Sequence, residues 1–188
     1  MKRVGILGGT FDPPHIGHLI IAEEVYHQLD LDEVWFLPSN QPPHKSGATV
    51  DNQNRLEMVK AAIAGNPHFS VSDIELQREG KSYTYDTIKQ LKQLNPDIEF
   101  YFIIGGDMVE YLPKWHEIKK LMEMTQFVGV KRSGYQLNSP YPVEEVEMPI
   151  IEVSSTMIRK RLGQGREIRY LTADGVIDYI KEHQLYEA

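Results

Sequence analysis

The chain has 188 residues, 41 % of them apolar and 25 % charged, which is typical of a globular protein with a buried core. Its 20 basic and 27 acidic side chains give a net charge of −7, which excludes a general basic surface for nucleic acid. The absence of cysteine excludes disulfides and cysteine nucleophiles. No apolar run approaches the ~20 residues of a membrane-spanning helix. We therefore expect one domain over 1–188, in the cytoplasm, without a membrane or nucleic-acid partner; self-association is left open.

Apolar runs of strand character alternate along the chain with stretches of helical periodicity. The first part predicts a strand at 4–7, a helix at 16–28, a strand at 34–37, a polar loop at 39–50, a helix at 54–64, an edge strand at 69–76, a helix at 87–94 and a strand at 100–104. The second part predicts a helical segment at 117–122, a strand at 127–130, a loose loop at 132–149, a strand at 150–153 and helices at 156–162 and 174–183. This alternation predicts an α/β fold with a doubly wound parallel sheet, and a small C-terminal helical part at about 154–188.

Small and polar residues follow three of the predicted strands. In doubly wound folds, ligands bind at the carboxyl ends of the strands. We therefore expect nucleotide or phosphate contacts from the three segments Gly8-Gly9-Thr10, Gly105-Gly106-Asp107 and Ser154-Ser155-Thr156.

A pair of histidines follows the first of these segments. The turn has neither a G-x-G-x-x-G nor a P-loop pattern, so dehydrogenase and P-loop functions are not favoured. His15 and His18 stand three residues apart at the start of the predicted helix, and therefore side by side, with Gly17 between them expected to leave room for a ligand. Imidazoles at a helix N-terminus can donate hydrogen bonds to phosphate oxygens. A zinc site is less favoured, because no cysteine or nearby glutamate completes it.

These residues resemble the signature of a nucleotidyltransferase superfamily that shares its core with class I aminoacyl-tRNA synthetases. The signature covers residues 8–19. Within that superfamily, the chain resembles the bacterial nicotinate-nucleotide adenylyltransferases over four further stretches, at 38–45, 82–87, 105–115 and 153–159. The resemblance implies a Rossmann-like fold and adenylyl transfer from MgATP to nicotinate mononucleotide, which yields deamido-NAD and pyrophosphate.

The resemblance also implies roles for individual residues. The catalytic set is His15, His18 and Arg159. The ATP-binding set is Gly8, Gly9, Thr10, Phe11, Gly106, Asp107, Ser155 and Thr156. The acceptor-binding set is Asn40, His44, Lys45, Tyr83, Thr84, Tyr111 and Trp115. Mg²⁺ would be carried mainly by the ATP phosphates and water, so no protein ligands are expected for it.

Several of these residues allow a simpler interpretation. Asp107 could bind ribose hydroxyls or a metal, or cap the following helix. Trp115 could stack on a cationic pyridinium ring or pack in the core. Arg159 could hold the triphosphate or lie solvated on an ordinary capped helix, and His44 and Lys45 could meet a monophosphate or belong to a solvated loop.

The inferred reaction explains why no carboxylate pair for acid–base catalysis is evident. A phosphate monoester has a second pKa of about 6, so the nucleophile is already largely dianionic at pH 7. Two other functions stay open: a transferase of the same fold with phosphopantetheine or glycerol phosphate as acceptor, and a non-catalytic nucleotide-binding regulatory module. The intact histidine pair favours catalysis.

Overall fold

One parallel sheet forms the centre of the protein. The structure is a computed structural model that describes residues 1–40, 50–132 and 134–187. In these residues the strands have the order β3-β2-β1-β4-β5-β6, and every neighbouring pair is parallel. The strands are β1 (Lys2–Gly9), β2 (Glu33–Pro38), β3 (Phe69–Val71), β4 (Ile98–Gly105), β5 (Gln126–Arg132) and β6 (Glu144–Met148). This is the strand order of a doubly wound Rossmann-type sheet, so the predicted fold class is confirmed.

Helices cover both faces of the sheet. They are α1 (Ile16–Gln28), α2 (Asn52–Ile63), α3 (Thr84–Leu94), α4 (Ile118–Met124), α5 (Ser155–Gly163) and α6 (Asp174–Glu182), with a 3₁₀ segment at Gly106–Lys114. One core cluster joins α1 and α2 to one face of the sheet, and another joins α3, α4 and the 3₁₀ segment to the opposite face. The central strands are buried on both faces, which explains their nearly continuous apolar sequences.

The two C-terminal helices pack against α2 rather than against the sheet. Ile158 of α5, Val176 and Ile180 of α6 and Met58 of α2 form a third apolar cluster. This packing brings the end of the chain next to the loop that follows β1. No helix among the described residues is long and apolar enough to cross a membrane.

Two of the predicted strands need correction. The predicted strand at 150–153 is wrong: that segment is unpaired, and the strand lies earlier, at Glu144–Met148, inside the predicted loop. This edge strand buries only Val146 completely, and glutamates surround that residue. Its sequence is therefore typical of a polar loop. The predicted strand at 69–76 is the sheet edge as expected, but it ends at Val71.

Candidate active site

The site lies where the order of the strands reverses, between β1 and β4. The two strands pair in parallel, with Leu7 beside Ile103, so their carboxyl ends open at the same edge of the sheet. On the other side of β1, Gly9 pairs with Pro38, and the Ser39 amide donates to the Gly9 carbonyl at 2.9 Å. The segments after β1, β2 and β4 therefore meet at the switch point, where open α/β sheets bind ligands.

Each histidine of the pair has its Nδ1 atom occupied by a backbone amide. His15 is the N-cap of α1, and its Nδ1 accepts from the Gly17 amide at 3.0 Å. The Nδ1 of His18 accepts from the His15 amide, also at 3.0 Å, and the ring centroids lie 3.8 Å apart. An accepting Nδ1 places the proton of a neutral imidazole on Nε2. The helix N-terminus thus presents two Nε2–H donors side by side.

Phe11 and Gly17 shape this pair of rings. Phe11 is 1 % exposed and packs edge-on against His18, with the ring centroids 4.8 Å apart. Any contact from Phe11 to a ligand would therefore come from its main chain. A Cβ atom at position 17 would lie 2.8 Å from Cε1 of His15. The space that the sequence assigned to a ligand at Gly17 is thus taken by the His15 ring.

The second predicted ATP motif lies directly against the first. Ser154 caps α5, accepting from the Met157 amide at 3.1 Å, as the sequence predicted. Side chains from the C-terminal part then donate to successive carbonyls of the histidine loop, in the pairs Arg159 to Asp12 (2.8 Å), Ser155 to Pro13 (2.7 Å) and Thr172 to Pro14 (2.8 Å). These bonds hold the loop in place, and Thr156 is in reach of Arg159 at 3.2 Å.

A buried polar cluster behind the histidine loop was not predicted from the sequence. Arg55 is fully buried and donates to the Thr10 carbonyl at 2.7 Å, and Tyr186 donates to the Asp12 carboxylate at 2.5 Å. Burial lowers the pKa of Arg55, while the Asp12 charge opposes that shift. Burial and the hydrogen bond to Asp12 raise the pKa of Tyr186 well above its usual value. No local sequence pattern predicts these contacts, since Tyr186 and Asp12 are 174 residues apart.

The acceptor-binding residues predicted near α3 lie at the N-terminus of that helix. Tyr83 is its N-cap and Thr84 its first residue, three positions earlier than the predicted start. The Tyr83 ring stacks on His116 with centroids 4.4 Å apart. The first amides of a helix have no intrahelical partner, so this end can receive an anion.

Part of the Trp115 side chain packs in the core. It is half-buried, and its ring lies edge-on to Phe102 and Phe127 at centroid distances of 5.9 and 5.8 Å. Both partners are strand residues, so the core-packing interpretation holds for that edge. Tyr111, in the neighbouring 3₁₀ segment, is exposed.

The remaining predicted residues differ in their surroundings. Asp107 is exposed in the first turn of the 3₁₀ segment, at the carboxyl end of β4. A Cβ atom at Gly106 would lie 3.0 Å from the Val130 carbonyl, so the close approach to β5 explains that glycine. Asn40 is half-buried and hydrogen-bonded on both sides of its amide. His44 and Lys45 lie outside the described residues, and within those residues no three His, Asp or Glu side chains form a metal-binding group.

Comparisons of the sequence with known proteins agree with one another. A family model described as cytidylyltransferase-like matches residues 6–161. The chain is 57 % identical to a probable nicotinate-nucleotide adenylyltransferase of Oceanobacillus iheyensis, over 99 % of this chain and 97 % of that protein. It is 55 % identical to a protein of the same name from Bacillus licheniformis, over 100 % of both chains.

The fold is shared with a solved structure of lower sequence identity. Plasmodium falciparum nicotinic acid mononucleotide adenylyltransferase, complexed with NaAD, superimposes with a TM-score of 0.80 at 24 % identity. The match covers 99 % of this chain and 98 % of that one. At this identity the likeness shows the fold.

Proposed function

The chain belongs to the nicotinate-nucleotide adenylyltransferase family of cytidylyltransferase-like proteins, and we propose that it transfers the adenylyl group of MgATP to nicotinate mononucleotide. The products are deamido-NAD and pyrophosphate, so the reaction is a late step of NAD biosynthesis. The observation that carries the proposal is the pair of adjacent histidines at the switch point of the sheet, each held by a main-chain amide at its Nδ1 atom.

The reaction needs positioning and charge neutralisation rather than a base. A phosphate oxygen of the mononucleotide forms a bond to the α-phosphorus of ATP, and the bond from that phosphorus to the pyrophosphate oxygen breaks. The attacking phosphate is largely dianionic at pH 7, because its second pKa is about 6. The Nε2–H groups of His15 and His18 would donate to the α- and β-phosphates, where negative charge develops.

The ATP side of the site is assigned to the first and second motifs. Gly8 and Gly9 allow the main chain to approach the nucleotide, and Gly106 and Asp107 flank it from the end of β4. Ser155, Thr156 and Arg159 are proposed to hold the triphosphate from the side opposite the histidines. Mg²⁺ enters as part of the substrate MgATP, because phosphates and water supply the oxygen ligands that it prefers.

The acceptor side is assigned to the segments around α3 and β2. The first-turn amides of α3, beginning at Thr84, can give charge-assisted hydrogen bonds to the nicotinate carboxylate. The exposed part of the Trp115 indole can place its face against the cationic ring. Asn40, Tyr83 and Tyr111 are proposed to complete this side. We also assign the acceptor phosphate to His44 and Lys45, and place the reaction in the cytoplasm, where both nucleotides are at hand.

A panel of acceptors tests the proposed function. Pyrophosphate release from MgATP would be measured with nicotinate mononucleotide, nicotinamide mononucleotide, phosphopantetheine and glycerol phosphate. Each buried donor without a partner costs about 1–3 kcal/mol. One or two such mismatches with the neutral amide correspond to very roughly ten- to several-thousand-fold in kcat/KM, in favour of nicotinate. Equal kcat/KM for the two mononucleotides would overturn the nicotinate assignment, and no release with any acceptor would favour the regulatory module.

A further inference from the structure

Four successive hydrogen bonds cross the base of the site, from the loop after β1 to the segment before α3. Arg55 donates through Nη1 to the Thr10 carbonyl at 2.7 Å and through Nη2 to Oδ1 of Asn52 at 2.5 Å. Asn52 donates through Nδ2 to Oδ1 of Asn40 at 2.8 Å. Asn40 in turn donates through Nδ2 to the Arg78 carbonyl at 2.5 Å. We call these four bonds the Arg55–Arg78 relay.

The chemistry of its two ends fixes the direction of the relay. A guanidinium can only donate, and a main-chain carbonyl can only accept. The Asn52 oxygen must therefore face Arg55, and the Asn40 nitrogen must face the Arg78 carbonyl. Both amides then have one orientation each, with the donors aligned from Arg55 to Arg78. Hydrogen bonds aligned in this way polarise and strengthen one another.

The two ends of the relay reach the two halves of the proposed site. Thr10 belongs to the loop assigned to ATP. At the other end, the Arg78 side chain donates to the hydroxyls of Ser82 and Thr87, each at 2.8 Å. These two residues flank Tyr83 and Thr84, which are assigned to the acceptor. The relay thus connects the adenylyl side to the acceptor side: Arg55 and Asn52 are assigned to neither substrate, and Asn40 is the relay residue that is also assigned to the acceptor.

Burial of the Arg55 side chain in α2 is energetically unfavourable by itself. Arg55 is 0 % exposed, and its neighbours along the helix are the buried apolar residues Leu56, Met58 and Val59. Its hydrogen bonds to Thr10 and Asn52 go to neutral oxygens, and the charge of Asp12 offsets the cost of burial only in part, since the pKa of Arg55 is still lowered. A well-packed apolar side chain in such a position is often at least as stable. The arginine therefore calls for a role besides stability.

We propose that Asn52 is a positioning residue, which links Arg55 to Asn40 and so sets the distance between the two halves of the site. The inference rests on the proposed adenylyl transfer, in which the acceptor phosphate must stand in line with the α-phosphorus. A displacement of about 1 Å in such an arrangement can cost as much as 100-fold in rate. Asn52 itself is half-buried at the first position of α2, and its side chain is hydrogen-bonded to Arg55 and to Asn40.

The substitution Asn52→Asp separates positioning from stability. An aspartate oxygen still accepts from Arg55 and adds a counter-charge to it, and a carboxylate is favourable in the first turn of a helix. It cannot donate to Asn40, so the relay is interrupted at one bond. The expected result is an unchanged or higher Tm, a kcat lowered by about 10- to 100-fold, a raised KM for the acceptor and an unchanged KM for ATP.

Gln53→Glu is the matched control. It makes the same change from amide to carboxylate one position along α2, on an exposed side chain that is bonded to Glu57 rather than to the relay. Its kinetics should equal those of the wild type. If Asn52→Asp matches this control in kcat and in both KM values, or if it lowers Tm and raises both KM values alike, the positioning role is overturned. A wild type without transfer to any acceptor would instead overturn the proposed function itself.

Discussion

The guanidinium of Arg159 donates a hydrogen bond to the main-chain carbonyl of Asp12 at 2.8 Å. This bond joins the middle of α5 to the loop that leads into the two histidines, 147 residues earlier in the chain. A residue assigned to the triphosphate thereby also holds the histidine loop. The residue proposed to bind the triphosphate and the placement of the two histidines are consequently coupled.

Arg159→Ala is expected to impair the use of ATP more than binding of the acceptor. The KM for ATP should rise and kcat should fall, because both a triphosphate contact and the bond to Asp12 are lost. Steady-state kinetics with each substrate varied in turn measure the effect. The control is Lys160→Ala, which removes an exposed cation from the same helix. A higher KM for the acceptor with unchanged ATP kinetics would contradict the assignment.

His18→Ala should lower kcat by roughly 10²–10³, the scale for loss of one donor to a transition state. The fold should be retained, at a cost of about 1 kcal/mol for the missing helix-cap bond. His27→Ala is the control, since it removes an exposed histidine of the same helix. The His27 side chain pairs with Glu23, not with the histidine loop. Near-full turnover of His18→Ala at saturating substrates would show that the imidazole is not a donor in catalysis.

Trp115→Phe tests the aromatic contact to the acceptor better than an alanine variant, because the ring also packs against Phe102 and Phe127. A smaller aromatic ring keeps part of that packing, so the stability loss should be on the order of 1 kcal/mol. A weaker contact with the pyridinium, worth about 0.5–1 kcal/mol, should raise the KM for the acceptor by about two- to fivefold.

The control for this variant is Trp35→Phe. Trp35 is the second tryptophan of the same core cluster, and it lies edge-on to Phe100. The Trp35→Phe variant should lose about as much stability as Trp115→Phe, without a change in the KM of either substrate. If both variants behave alike in binding, Trp115 acts in the core alone.

Tyr186→Phe should destabilise the protein by about 1–3 kcal/mol, because it leaves the buried carboxylate of Asp12 without this donor. The control Tyr179→Phe removes a hydroxyl that donates to Asn54 at 2.8 Å, away from the histidine loop, and should cost less. Chemical denaturation measures both values. Equal losses in the two variants would contradict the importance of the bond to Asp12.

The contribution of Tyr186 should depend on pH in one direction. Burial and Asp12 raise the pKa of this phenol above that of the unfolded chain, so the folded state favours the protonated form. The stabilisation is fully present below the unfolded pKa of about 10 and decreases as the pH rises above it. The difference in unfolding free energy between wild type and Tyr186→Phe should therefore be constant from pH 7 to 9 and shrink at higher pH.

Local patterns were enough to predict the fold class and the position of the histidine pair at a helix start. Alternating strands and helices specify a parallel sheet, because parallel strands need crossover connections. The spacing of His15 and His18 places both on one side of a helix start, whatever the rest of the chain does. The same local reasoning placed a serine cap before α5, which the structure confirms, and a helix start after Thr84, which the structure has at Thr84 itself. That this helix end accepts an anion stays a prediction.

Residues that act through distant partners could not be found in this way. The burial of Arg55, the contact of Tyr186 with Asp12 and the edge strand around Val146 all depend on segments that lie far apart in the chain. A guanidinium in a helix or glutamates around one valine normally indicate an exposed surface. Their environment is set by packing of α2 against the C-terminal helices and by pairing with β5, because burial and long-range hydrogen bonds exist only once the chain has folded.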